Sequence, residues 1–266
     1  MAAGANTGAD FLVGGGELLI VGAGGFARET AQAVAAINAV RPTWRLLGFL
    51  DDDPLLHGRR VDGVPVIGGT DLVQSLPDTR LVVCVGNPRS IDSRERVVRR
   101  LDVGSARYAT IVHPTASVAG NCRVGVGSVL LAQAVLTAAV TVGSHVAVMP
   151  HAVLTHDVSV ADFATVASGV RFGGGVRVGR GAYLGAGALL REQVTVGAGA
   201  LVGMGSVVLR DVPAAQVWVG NPAQFLRERV APVDSAGAGA GLGTVAAATA
   251  AAGARAVGAV VDGRRA

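Results

Sequence analysis

Residues 140–179 read VTVGSHVAVMPHAVLTHDVSVADFATVASGVRFGGGVRVG, and every sixth residue from Val142 is apolar: Val148, Leu154, Val160, Val166, Phe172 and Val178. Followed outward, the phase runs from Val112 to Val208, seventeen hexads without a slip. Four residues after each apolar position stands a small or β-branched residue, from Ala116 and Cys122 to Ser206 and Val212. Glycine directly follows the apolar residue at Gly125, Gly143, Gly173, Gly179, Gly185, Gly197 and Gly203. Neither the helical period nor plain strand alternation gives strict sixes. A short parallel strand and a tight turn per hexad does: the aliphatic points inward, the small residue fills a corner, and glycine is expected to relieve the turn. Three hexads make one triangular coil of eighteen residues, so the stretch 111–212 holds between five and six coils, each covering the apolar edge of the next. An ordinary β-sandwich would show irregular turns and broken phase.

Composition bounds the partners. The chain has 266 residues, half of them apolar, with a formal net charge of +4. All 23 basic residues are Arg. A pI near 10 permits polyanion binding. No basic run carries interleaved aromatics, so nucleic acid is not an expected partner. The diffuse positive balance suits small anionic substrates. Cys84 and Cys122 both fall in apolar settings and read as buried thiols. The first residues do not show a charged n-region followed by an apolar core and cleavage site, and no apolar run is long enough for a bilayer span, so a cytoplasmic protein without membrane insertion is expected.

Residues 1–16 are Gly- and Ala-rich and are expected to be disordered. Glu17–Val21 reads as a buried strand, feeding Gly22-Ala23-Gly24-Gly25-Phe26-Ala27 and then a helix over Arg28–Val40. Strand, glycine turn and helix N-terminus together make an anion site. Arg45–Leu50 is a second strand with Asp51-Asp52-Asp53 at its carboxyl end, where a ribose or base partner belongs. Leu81–Val85 is a third strand, ending in Gly86-Asn87-Pro88-Arg89, and Ile91–Leu101 is a helix. Residues 17–108 thus form a Rossmann-like βαβαβ unit, about half of a dinucleotide fold, which suits one nucleotide better than NAD. Residues 109–212 are the solenoid, joined without a flexible linker. Residues 213–230 hold Val219-Gly220-Asn221-Pro222-Ala223 and are expected to finish as a short Arg-rich helix. Residues 231–266 read as a disordered Ala/Gly-rich tail.

The solenoid carries His113, His145, His151 and His156. His156 lies two places after an inward aliphatic, so it faces outward near a corner, with Asp157 beside it. An outward imidazole next to a carboxylate can serve as a general base.

The combination G-A-G-G-F-A, F-L-D-D, V-G-N, hexads containing T-H-D, and V-G-N-P-A resembles nucleotide-sugar acetyltransferases of the bacillosamine and perosamine type, with sialic acid O-acetyltransferase relatives. The resemblance covers about residues 17–229. It implies an α/β Rossmann-like domain followed by a left-handed parallel β-helix; the hand comes from the resemblance, since the general crossover rule favours the right. It implies acetyl transfer from acetyl-CoA, as co-substrate, to the amine of a nucleotide-linked amino sugar. His156 would be the base and Asp157 its support. Gly24, Gly25, Phe26, Asp51, Asp52 and Gly86 would contact the nucleotide sugar; Thr165, Gly174 and Ala186 would contact acetyl-CoA. A homotrimer is implied, with acetyl-CoA between neighbours. Two positions depart from the family pattern. Thr165 stands where a second histidine can occur, leaving carbonyl polarisation to a hydroxyl or backbone N–H. Phe26 stands where histidine is common, which bears on the identity of the sugar. Neither cysteine is placed as a nucleophile, so direct attack in a ternary complex is expected.

Other readings are O-acetylation of a sugar hydroxyl, a non-catalytic nucleotide-sugar sensor, an NAD-linked enzyme, and a zinc enzyme like the γ-type carbonic anhydrases. For zinc, His151 and His156 have a suitable spacing, but the third position is Thr115 and His113 is out of phase. No metal is expected.

Overall fold

The computed structural model describes residues 6–7 and 15–229. The expected tail over 231–266 lies outside the described residues, as does most of the stretch 1–16. Within that first stretch Asn6–Thr7 is a strand paired antiparallel with Arg123–Val124, and Gly16 opens the first strand of the sheet.

The N-terminal unit is a five-stranded sheet in the order Arg60–Val61, Val64–Gly68, Trp44–Leu50, Gly16–Val21, Arg80–Val83. It is parallel except for the Arg60–Val61 hairpin partner. Parallel strands covered on both faces read as continuous apolar runs, and Leu18, Leu19, Ile20 and Val21 are all buried. Helix α1 (Gly25–Val40) packs on one face; helix α2 (Ser93–Leu101) lies on the other. α1 starts three residues earlier than its composition suggested, with Gly24 as N-cap. The glycine turn is therefore the first turn of the helix.

From Ile111–Val112 to Val207–Val208 the chain forms seventeen two-residue strands, one in each hexad-long step between corners of a left-handed parallel β-helix. The register confirms the eighteen-residue coil: Val112, Leu130, Val148, Val166, Leu184 and Val202 stack on one face. Leu136, Leu154, Phe172 and Leu190 stack on the second, and Val142, Val160, Val178 and Val196 on the third. These side chains merge into one core running the length of the prism. Burying each is worth about 1.5–3 kcal/mol.

The glycines work differently from expectation. The left-handed residue of each turn is three places after the inward aliphatic, at fourteen successive hexads from Gly127 to Gly205. Seven of these are not glycine, including His145, His151, Asp157 and Phe163. The glycines directly after the aliphatics instead let the next coil approach: a Cβ on Gly185 would lie 2.6 Å from the Met204 backbone nitrogen.

The expected C-terminal helix is a strand. Gln224–Glu228 pairs antiparallel with Gln216–Val219, which itself continues the first face beside Leu201–Val202. An open parallel edge offers unpaired backbone groups, and this hairpin takes them up. Trp218 closes the end of the core, with the Arg210 guanidinium 5.0 Å from its ring.

The two units share a core. Ile111, Val129 and Leu131 of the solenoid pack with Ala27, Ala31 and Val34 of α1. The chain passes from one to the other through Tyr108, which bridges to Leu81, and Ala109, whose N–H donates to the Leu81 carbonyl at 2.8 Å.

Candidate active site

The carboxyl ends of three sheet strands converge on the glycine turn. No side chain caps α1, and its first turn carries no acidic residue, so its N–H groups face outward beside exposed Gly24 and Gly25. A Cβ on either glycine would meet nothing within 4 Å. That is the open, electropositive setting in which a phosphate binds. Asp51 shapes this turn: its Oδ2 accepts from the Ala23 N–H at 2.8 Å and its Oδ1 from the Asp53 N–H at 3.0 Å. Asp52 turns toward α2, where it accepts from the Thr70 N–H at 3.0 Å and pairs with the Arg100 guanidinium. Burial pushes its carboxyl up, but the Thr70 hydrogen bonds and Arg100 outweigh this and hold it below the usual range.

Between this loop and the solenoid's first face lies a cleft of about 280 Å³, lined by Phe26, Gly86, Arg94, Met149, Thr165 and Ala186 among others. Four expected positions thus meet here, two from each supposed ligand set. Tyr183 also lines the cleft and was not singled out from the sequence. Its signal was available, because Ala147, Thr165 and Tyr183 are spaced by one coil and pair in register.

His156 and Asp157 sit elsewhere. The His156 Nδ1 lies 2.9 Å from Asp157 Oδ2, and both side chains are about two-thirds exposed, at 66% and 67%. Asp157 holds a left-handed conformation, φ 62°, which turns its carboxylate back on the preceding ring. The ring rests on Gly174, the residue one coil onward: a Cβ there would lie 2.3 Å from His156 Cε1 and 2.4 Å from Nε2. Gly174 thus underlies the histidine and is absent from the cleft lining. His156 follows the second face of the prism, whereas the cleft lies along the first. One chain alone does not bring His156 to Thr165 and Ala186.

Both cysteines and His145 are quiet chemically. Burial pushes the Cys84 thiol up to about 12, and Cys122 is fully buried. His145 is buried between Tyr108 and Phe163, with ring centroids at 4.5 and 5.1 Å. Among the described residues no group of three or more His, Cys, Asp or Glu side chains is arranged to hold a metal ion, and no helix is long and apolar enough to cross a membrane.

Comparison with known proteins bears on the whole arrangement. Residues 17–101 match the family described as PglD N-terminal domain. UDP-N-acetylbacillosamine N-acetyltransferase of Bacillus subtilis is 31% identical over 115 residues, which are 42% of this chain and 50% of that protein. The matched stretch therefore spans about half the length of that relative. The acetyltransferase domain of PglB from Neisseria gonorrhoeae, solved with acetyl coenzyme A, is 32% identical; the match covers 80% of this chain and 100% of that one, with a TM-score of 0.71. A histidine-to-asparagine variant of perosamine N-acetyltransferase from Caulobacter crescentus, solved with CoA and GDP-perosamine, is 27% identical. That match covers 85% of this chain and 100% of that one, again with a TM-score of 0.71.

Proposed function

The chain belongs to the nucleotide-sugar acetyltransferases of the bacillosamine and perosamine type, and on that premise we propose that it moves an acetyl group from acetyl-CoA to the amine of a nucleotide-linked amino sugar. The observation that carries the proposal is the His156–Asp157 pair, held over Gly174 and facing outward. With Nδ1–H donated to Asp157, Nε2 holds the lone pair and acts as base. The sugar amine attacks the thioester carbonyl carbon and His156 takes its proton. The tetrahedral intermediate then expels the CoA thiolate, which recovers that proton. No acyl-enzyme forms. Gly24, Gly25, Phe26 and Gly86 bind the nucleotide sugar, and Asp51 holds their loop in shape. Thr165 and Ala186 meet acetyl-CoA, with the Thr165 hydroxyl or a backbone N–H stabilising the oxyanion.

The active unit is a homotrimer in this proposal. The separation of His156 from the cleft supports it, since a threefold ring can bring one copy's His156 to the next copy's first face. Exposed Leu189 and Leu209 on the second face suit a subunit contact.

The test is thiol release from acetyl-CoA by wild type and His156→Ala, over UDP-, GDP- and dTDP-linked 4-amino-6-deoxy sugars and hydroxylated controls. Turnover of an amino sugar by wild type is expected, falling by about 10²–10⁴-fold in the variant with both ligands still bound. Full turnover in His156→Ala would remove this histidine from the mechanism. Turnover only of hydroxylated sugars would replace N- with O-acetylation. Light scattering reads the oligomeric state.

A further inference from the structure

Arg94 opens α2 and is 2% exposed, yet among the described residues it has no carboxylate partner. Its guanidinium fans into oxygens from three segments. Nη1 donates to the Val85 carbonyl at 3.2 Å, directly before Gly86. Nε donates to the His145 carbonyl at 2.7 Å. Nη2 donates to the carbonyls of Phe163 and Ala164 at 2.9 and 3.0 Å and to the Thr165 hydroxyl at 3.0 Å. His145 and Phe163 are left-handed corner residues one coil apart, so one side chain spans two coils and the nucleotide loop. The Phe26 ring lies 5.9 Å from the same guanidinium, and Arg94 lines the cleft. Burial lowers its pKa to about 10. A buried charge without a counter-ion is a poor device for stability alone, because a packed apolar side chain does that better. A planar fork with several fixed donors is a good device for geometry, and lysine cannot reproduce it.

We infer that Arg94 is a positioning residue for acyl transfer: it locks the Gly86 loop to the Thr165 edge of the solenoid and so fixes where the sugar amine meets the thioester. This rests on the assignment of the cleft proposed above. Arg94 acts through Val85, Phe163 and Thr165, and its effect belongs in kcat. Reacting groups misplaced by about 1 Å lose up to about 10²-fold in rate.

The experiment compares wild type, Arg94→Lys and Arg94→Ala, measuring kcat and KM for both substrates, ligand Kd by calorimetry, and melting temperature. Arg94→Lys keeps the charge and most of the stem and carries the test if Arg94→Ala fails to fold. The expected result for Arg94→Lys is a fall in kcat of about ten- to a hundredfold, with each Kd changed by less than about threefold. Added guanidinium ion is expected to restore part of the Arg94→Ala rate. Wild-type kcat in Arg94→Lys, with only a lower melting temperature, would show a purely structural role and overturn the inference. Weakened Kd at unchanged kcat would overturn it too, by making Arg94 a binding residue. Silence of the wild type on every nucleotide-linked amino sugar removes the proposed reaction and this inference together, whereas an active wild type with an unaffected variant removes the inference alone.

Discussion

Substituting Gly174→Ala isolates the geometry of the base. The new Cβ would sit 2.3 Å from His156 Cε1, and ordinary contact begins near 3.4 Å, so the ring must retreat by about 1 Å. Gly174 has no left-handed φ, so alanine suits its backbone. The ring it displaces is 66% exposed and can move into solvent at the cost of its exposed Asp157 contact, so folding loses little. Stability is expected within about 0.5 kcal/mol of wild type. Catalysis is less tolerant: a 1 Å displacement of a reacting group costs about 10²-fold, or about 2.7 kcal/mol of barrier. The assay is thiol release at saturating acetyl-CoA and sugar nucleotide, beside urea denaturation of the same protein. In a His156→Ala background the second substitution should cost nothing further, because the group it displaces is gone. Wild-type kcat in Gly174→Ala, or an undiminished effect in the His156→Ala background, would refute the reasoning.

The same substitution two hexads further on should behave oppositely. In Gly185→Ala the Cβ meets the Met204 nitrogen at 2.6 Å and the Gly203 carbonyl carbon at 2.7 Å, and backbone cannot swing aside. A loss of about 1–3 kcal/mol in urea denaturation is expected. Asp157→Ala frees the His156 ring and its tautomer; kcat should fall, but by less than the 10²–10⁴-fold or so expected for the base itself. His145 gives a pH signature. Burial first, then Arg94 and Arg180, push its pKa down to about 4 against the opposing pull of Asp162. The unfolded chain takes up this proton near pH 6.5 and the folded chain only near 4. This contribution is therefore complete above about pH 6.5 and is lost as pH falls toward 4, roughly 3 kcal/mol in all. Denaturation from pH 7 to 4 should show a shallower loss in His145→Phe than in wild type; parallel curves would exclude the histidine as the source.

The solenoid was legible in the chain because its rule is local. One inward aliphatic per hexad, repeated from Val112 to Val208, dictates strand, corner and coil before any long-range contact is known. The glycine turn after Val21 was legible for the same reason, as strand, turn and helix follow one another within a few residues. Tertiary structure decided what depends on stacking and docking. Gly174 lies under His156 only because coils stack at eighteen residues, and nothing near Gly174 in the chain marks that role. Gln224–Glu228 is Arg-bearing and reads as helix alone, but the unpaired edge at Gln216–Val219 draws it into a strand. Arg94 looks like any charge on a polar helix. Its burial arises when α2 docks on corners 51 and 69 residues further along, at His145 and Phe163. Period and propensity are properties of neighbours in the chain, whereas the site is made where distant segments exclude water together.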